Sequence, residues 1–530
     1  MFRYCPVVIS RPLPFAANDM DFLRWFKSLA LENDVKSCEQ LLHVLLTLNK
    51  TPVAGKTKLL ILEKLTPVLF QLTARITSQP VAQQKNNPFE DENSVYEFSI
   101  WSCAELANGY KLLSMEESFK KNTYYSQQQK SLIIAHGIQA LSKALLYICQ
   151  LYSQPFAGFW SDCFHFYRLA HHNETINYNG DMIANAFKQV LVFYLSNPNQ
   201  FSQPEMRVIY TLLGQYAAYA KLLREVPEKK FRGIPCIHLR RDLPPSTQHV
   251  GNDKDDPYVL HIATVEVASK ILAAAYDKEL NHSYVDQLML LRLAKTLTSN
   301  TERKHSREKV NTACLAVTNF DHLIDYLRKQ EIENAYAANA RGYVDYKGTG
   351  IGALHKISAS LGTGFGRKPS PTGNDLPLQL NSANPISVDA RVQLMDKSLH
   401  GCGLLWSNKR IKPKVGSIIG LQQKKMEIGF IRWLSQSEEN NIMLGVELVG
   451  INAQAIKIAN PAQPDSEIDA IYLPKEEASH QPESVLMPNN GFNLGEFILI
   501  KREQKSRRYR QMRQLQSTTL LNRYQIVEAI

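Results

Sequence analysis

Apolar and polar positions alternate with two different periods along this chain, and the change of period divides it. Over the first 225 or so residues the apolar positions recur every three or four. In the segment 127–152, Ile134, Ile138, Leu141, Leu145 and Ile148 step by four, three, four and three, which is one face of a helix. Similar stripes run through 22–30, 39–48 and 58–76. Ser202-Gln-Pro-Glu205 reads as a helix start, with a Ser cap, a Pro in the first turn and Glu three positions after the cap. Val208, Ile209, Leu212, Leu213 and Tyr216 supply the stripe that follows. No consensus recurs every 30–45 residues, so the pattern predicts a helical bundle or a degenerate helical array over 1–225.

Five prolines, Pro227, Pro235, Pro244, Pro245 and Pro257, break a charged stretch that reads as a connector. Helix returns over 258–298, and 226–299 is taken as connector plus helices. From Val310 the period becomes two. Short apolar runs at 312–318, 388–395, 416–422, 428–434, 442–449 and 496–501 are separated by turn-forming residues. Between the first two lies a segment with eight glycines from Gly342 to Gly373, predicted to be a flexible insertion at about 331–385. The pattern therefore predicts an α+β multidomain chain: all-α first, β-rich afterwards.

Composition narrows the function. At 530 residues, with 44% hydrophobic and 21% charged positions, the chain has material for about three buried cores. The formal charge is +11, and it is concentrated. Residues 501–530 hold eight Lys and Arg against two Glu, which implies an anionic neighbour or an arginine-rich solvated strand face. Eight cysteines without a CxxC pair predict reduced thiols. With no cationic-then-apolar segment at the N-terminus and no unbroken apolar span, the expectation is a cytoplasmic protein without a transmembrane segment.

Catalytic patterns do not emerge. Gly55-Lys56-Thr57 lacks the earlier glycine of a phosphate loop, since position 50 is Lys. Cys163, His165, His171 and His172 lie on an aromatic-rich helix without a second ligand pair, so no metal site is expected. No nucleophile–base or paired-carboxylate arrangement stands out, and no enzymatic activity or cofactor is expected.

Two small motifs do stand out. Arg303-Lys-His-Ser-Arg307 is an RxxxR just before the first β run. Asp396-Lys-Ser398-Leu-His400-Gly401 is a DxSxxG between two later runs. Behind them come Gly416, a run ending in Trp433, and Gly445-Val-Glu-Leu448. This order resembles the PilZ domain, a six-stranded β-barrel of bacteria that binds cyclic di-GMP through RxxxR and (D/N)xSxxG. The resemblance covers roughly 300–460. A helical region ahead of such a barrel is also similar to that of some proteobacterial proteins, and a basic β-rich extension over 461–530 would follow the barrel.

By this resemblance Arg303, Arg307, Asp396, Ser398 and Gly401 take the ligand-binding roles, with His400 and Gly403 beside them. The residue types suit the ligand. A guanidinium can fork onto a phosphate or onto the O6/N7 edge of guanine. A carboxylate accepts from guanine N–H groups, and glycine admits close approach. One spacing departs from the family: 88 residues separate Arg307 from Asp396, where a few dozen are usual. A rival arm is Arg367-Lys368, with Arg367 29 residues before Asp396, but it lacks the second arginine.

The resemblance thus implies a cyclic di-GMP receptor whose helical region meets a protein partner. The alternative is a non-enzymatic interaction scaffold whose barrel no longer binds nucleotide. Nucleic acid is not an expected partner, because Lys501–Arg513 carries a single aromatic, Tyr509.

Overall fold

The computed structural model describes the chain apart from residues 1–11, 30–33, 80–91, 121–123, 177–180, 225–232, 248–255, 278–283, 299–305, 345–389, 409–410, 424, 438–440, 478–480, 490–491, 493–494, 503–504, 519 and 530. It consists of a helical region followed by two closed barrels of six antiparallel strands each.

Helices α1 (Asp19–Ser28), α2 (Asp34–Lys50), α3 (Gly55–Ser78), α4 (Glu92–Met115), α5 (Glu117–Lys120), α6 (Gln127–Gln150), α7 (Phe159–His172), α8 (Met182–Leu195) and α9 (Gln203–Tyr216) build the first part. Helix α6 is its axis. A capping box between Ser126 and Gln129 starts it, and every residue of the predicted stripe, Ile134 to Ile148, is buried. Among the described residues it is the one helix long and apolar enough to cross a membrane, and most of that window is buried against its neighbours. Helix α7 packs so closely that a Cβ on Gly137 would enter the ring of Phe166.

At α9 the Glu205 carboxylate accepts the Ser202 N–H at 2.7 Å, as the Ser-x-x-Glu spacing predicts. The stripe behind it differs in one position. Ile209 and Leu213 are buried, but Val208 is 52% exposed, because it falls on the far side of the helix.

The stretch after α9 is not purely helical. A three-stranded sheet of order β1 (Lys221–Leu223), β3 (Val259–Ala263), β2 (Cys236–His238) precedes α10 (Val265–Ala275) and α11 (Tyr284–Thr298). The strands are three to five residues long, too short for their periodicity to register beside the prolines.

The first barrel has the order β4 (Glu308–Val317), β5 (Ala390–Ser398), β6 (Gly401–Trp406), β9 (Ile442–Ile451), β8 (Met426–Gln436), β7 (Ile418–Gln422). Its interior holds Val392, Leu394, Cys402, Leu404, Leu444 and Val446. Between β4 and β5 the expected flexible insertion begins instead as helix α12 (Phe320–Val344). The Asn319 side chain accepts the Asp321 N–H at 2.7 Å and caps the first turn. Leu323, Ile324 and Leu327 then form a buried stripe. The glycine-rich remainder, 345–389, lies outside the described residues.

The second barrel runs β10 (Gln454–Asn460), β11 (Gln463–Leu473), β12 (Ser484–Pro488), β15 (Leu521–Glu528), β14 (Lys505–Ser517), β13 (Phe497–Arg502). Ile456, Ile458, Ala470, Val485, Ile498 and Ile526 fill it. A separate apolar layer joins the barrels. Ile418, Ile428 and Phe430 of the first meet Ile471, Leu473, Leu486 and Leu521 of the second, with the α12 stripe in the same cluster. Arg328 of α12 pairs with Asp469 of β11 at 2.5 Å.

The helical region meets the first barrel through the end of β8. The Gln436 N–H donates to the Tyr152 carbonyl at 2.8 Å, and Ser153 Oγ donates to Gln436 Oε1 at 2.9 Å.

Candidate nucleotide site on the first barrel

The DxSxxG segment folds as the tip of the β5–β6 hairpin. Ser398 and Gly401 are register partners, Leu399 and His400 form the turn, and Ser398 Oγ donates to the Gly401 carbonyl at 3.1 Å. The His400 carbonyl accepts the Leu448 N–H at 3.0 Å, tying the tip to β9. Gly401 sits directly opposite Glu447, and a Cβ there would lie 2.8 Å from the Val446 carbonyl oxygen. The motif glycine therefore answers a close approach between strands.

Asp396 is re-aimed by irregularities on both sides. Its partners are Lys309 on β4 and Gly403 on β6, with register shifts between Lys309 and Thr312 and between Leu394 and Asp396. Bulges of this kind turn one side chain out of the regular alternation. Asn311, in the β4 shift, has φ of 54°. The Asp396 carboxylate lies over Gly403, whose Cβ would fall 2.9 Å from its Oδ1.

Arg307 stands just ahead of β4. Because β4 pairs with the end of β5, its guanidinium returns to the motif, and Nη1 donates to Asp396 Oδ1 at 2.7 Å. The two side chains are 24% and 29% exposed. One Nη1 contact leaves the other N–H groups of the fork for a ligand. The 88-residue spacing is thus no obstacle in space, because β4 and β5, on either side of it, are paired neighbours.

Four of the residues named from the sequence, Arg307, Asp396, Ser398 and Gly401, lie at this hairpin, together with His400 and Gly403. Arg303 and Arg367 lie outside the described residues.

Sequence reasoning left two members of this surface without a role. Gly403 faces Gly445 on β9, and Gly445 faces Trp433 on β8. Lys309, Asp396, Gly403, Gly445 and Trp433 therefore form one row across five strands. The Trp433 indole lies against Gly445 so closely that a Cβ there would enter the ring at Nε1. The two glycines thus make room for the Asp396 carboxylate, seated over Gly403, and for the partly buried Trp433 indole, seated over Gly445, side by side on the outer wall. The signal was present in the sequence as Gly403, Gly445 and Trp433, but only the register shows that they align.

The row next to it leads to the neighbouring parts. A shift between Ile431 and Trp433 turns Arg432 outward, where its Nε donates to Glu447. Arg432 and Arg292 of α11 line an open cleft of about 210 Å³ between the helical region and the two barrels, with Ser202, Glu205 and Gln516. Burial pulls the Arg292 guanidinium below its usual range and Arg432 pulls it further, while Glu205, 2.6 Å away, opposes both. Across the barrel interface, burial pushes Arg523 down to about 10, again with Glu447 opposing.

Three family models match the chain. That of the N-terminal domain of the cyclic-di-GMP receptor FimW matches residues 20–228. That of the receptor's middle PilZ domain matches 378–455, and that of its C-terminal β-barrel domain matches 455–529. No curated protein and no solved structure matches it.

Proposed function

The chain belongs to the FimW family of cyclic-di-GMP receptors, and from that membership we propose that the nucleotide binds on the outer wall of the first barrel, against the row that runs from Asp396 to Trp433. A PilZ domain is a binding module rather than an enzyme, so the chemistry is recognition. Arg307 supplies guanidinium donors to a phosphate or a guanine edge, and Arg303, four residues upstream, is the second such group. Asp396 accepts guanine N–H groups. Ser398 and Gly401 shape the tip, with His400 at its side. The Trp433 indole offers a face on which a base can stack. The observation that carries this reading is the row Asp396, Gly403, Gly445, Trp433: an acceptor and an aromatic group set side by side on the outer wall, each seated over a glycine.

In the same reading, occupancy of the site is felt outside the barrel. Gly401 opposes Glu447, Glu447 holds Arg432, and Arg432 shares the cleft with Arg292, which Glu205 at the start of α9 holds. A ligand that shifts the hairpin tip has a short route to the helical region, where a protein partner would read it. Ligand-dependent signalling requires different affinity for two arrangements of these parts. The place of action is proposed to be the cytoplasm.

Calorimetric titration of the full chain with cyclic di-GMP, read alongside tryptophan emission, tests the site. Saturable heat with a change in emission that Trp433→Phe removes is the expected result. Arg307→Ala should weaken binding about ten- to a hundredfold, the loss of one or two charge-assisted hydrogen bonds. Absence of heat at high-micromolar nucleotide overturns the reading and leaves an interaction scaffold.

A further inference from the structure

The basic stretch near the C-terminus has no part in the site above. Its arginines divide into two sets on the second barrel. Tyr509 and Gln511 are buried, with Tyr509 in the barrel core. Arg508 and Arg510 consequently point outward. A register shift between Gln511 and Arg513 frees Met512 from the alternation and leaves Arg513 on the outer wall as well. All three arginines are exposed. The wall continues onto the adjoining strands, since Arg508 is opposite Leu499 and Arg510 is opposite Val527. The Arg508 guanidinium lies 3.9 Å above the ring of Phe497. Met512 is 52% exposed and Val527 49%.

Three other cations on this barrel are neutralised. Lys457 pairs with Asp469, Lys501 with Glu467 and Arg507 with Glu528. Among the described residues, no ion pair involves Arg508, Arg510 or Arg513. The wall is thus a patch of three unneutralised guanidinium groups, with aliphatic side chains standing between them.

We propose that this wall docks the protein onto an anionic phospholipid bilayer. The shape argues for it. The outside of a closed barrel is convex, and closure leaves no free strand edge for a peptide to join. The apolar content decides between partners. A stable protein interface buries about 800 Å² on each side around a desolvated centre, far more than two half-exposed aliphatic side chains and one ring under a guanidinium provide. For a nucleic acid, aliphatic groups among the arginines contribute little beside the phosphate contacts. A bilayer offers anionic headgroups to the guanidinium groups and an apolar boundary to Met512 and Val527, and it needs no complementary shape. Binding of this kind is weak and reversible.

The test is co-sedimentation of the full chain with vesicles of phosphatidylglycerol and phosphatidylcholine in equal parts, against vesicles of phosphatidylcholine alone. The expected result is binding to the anionic vesicles only, lost in 0.5 M salt. Each arginine at a lipid surface is worth about fivefold in partitioning. Arg508→Gln/Arg510→Gln/Arg513→Gln should therefore lower partitioning by about a hundredfold. Met512→Ser, which leaves the charge unchanged, should lower it severalfold. Because Arg508 rests on Phe497, the double variant Arg510→Gln/Arg513→Gln is the check against misfolding, with an expected loss of about 25-fold at an unchanged melting temperature. The cyclic-di-GMP titration of the same variants should be unaltered. Equal binding to neutral vesicles, full binding by the triple variant, or no effect of Met512→Ser would each overturn the proposal. So would tighter binding to duplex DNA or polyglutamate than to the anionic vesicles, which would make the wall a general polyanion surface.

Discussion

Trp433 can lie flat on the barrel only because position 445 carries no side chain. Gly445→Ala should push the indole off the barrel wall, lowering affinity for cyclic di-GMP at least tenfold in the calorimetric titration and shifting tryptophan emission before any ligand is added. Asp396 adds a cost in stability. Its replacement by Ala removes the Arg307 pair, a charge-assisted bond at 2.7 Å between mostly buried groups, and should cost about 1–3 kcal/mol in urea unfolding as well as weakening binding. In the helical region Gly137 poses a contest of magnitudes. Alanine in a helix gains up to about 1 kcal/mol over glycine. Here, however, its Cβ would enter the Phe166 ring in a packed core, and overpacking costs about 1–3 kcal/mol. Gly137→Ala should therefore lower the melting temperature.

At the scale of helices and strands, much was legible in advance. The α6 stripe, the α9 capping box and most strands of the first barrel follow from period and capping signals, because each buries one face against a fixed neighbour. Beside the short three-stranded sheet, three things are hidden for physical reasons. Strand β6, Gly401–Trp406, starts inside the ligand motif, and its glycines mask the alternation. Helix α12 was overlooked because the glycines behind it dominate the composition, although Leu323, Ile324 and Leu327 have helical spacing. The second barrel's closure depends on long-range pairing between β10 and β13, which no local pattern encodes. The candidate site is legible as motifs, while the alignment of Gly403, Gly445 and Trp433 needs the register.

Helix α7 and its neighbours also carry a pH response. Burial holds the imidazoles of His136 and His165 below the ordinary histidine value. Unfolded, each takes up a proton near pH 6.5; folded, each does so only at lower pH. The unfolded chain then binds more protons as pH falls, so stability should be full above about pH 7.5 and decline from 6.5 downward. Urea midpoints followed from pH 8 to 5 would register this fall, and His165→Gln should flatten part of it. An equal slope in that variant would remove His165 as a contributor.

Across the whole molecule, Glu447 links the two barrels, pairing with Arg432 of the first and lying in the field of Arg523 of the second, and Arg432 in turn shares the cleft with Arg292 of the helical region. Glu447→Gln keeps the shape and removes the charge. It should leave nucleotide affinity within about threefold, yet abolish any ligand-dependent change in hydrogen exchange at the starts of α9 and the end of α11. Retention of that change would show that coupling takes another route.

The apolar layer between the barrels has a practical corollary. Phe430 and Ile428 are fully covered only while Leu473, Leu486 and the α12 stripe rest on them. A fragment cut at the junction would turn this seam outward as a sticky oily face, so the nucleotide-reading module is not separable from its C-terminal companion. Any excised piece should precipitate or self-associate, and the two barrels must be produced together to be handled in solution.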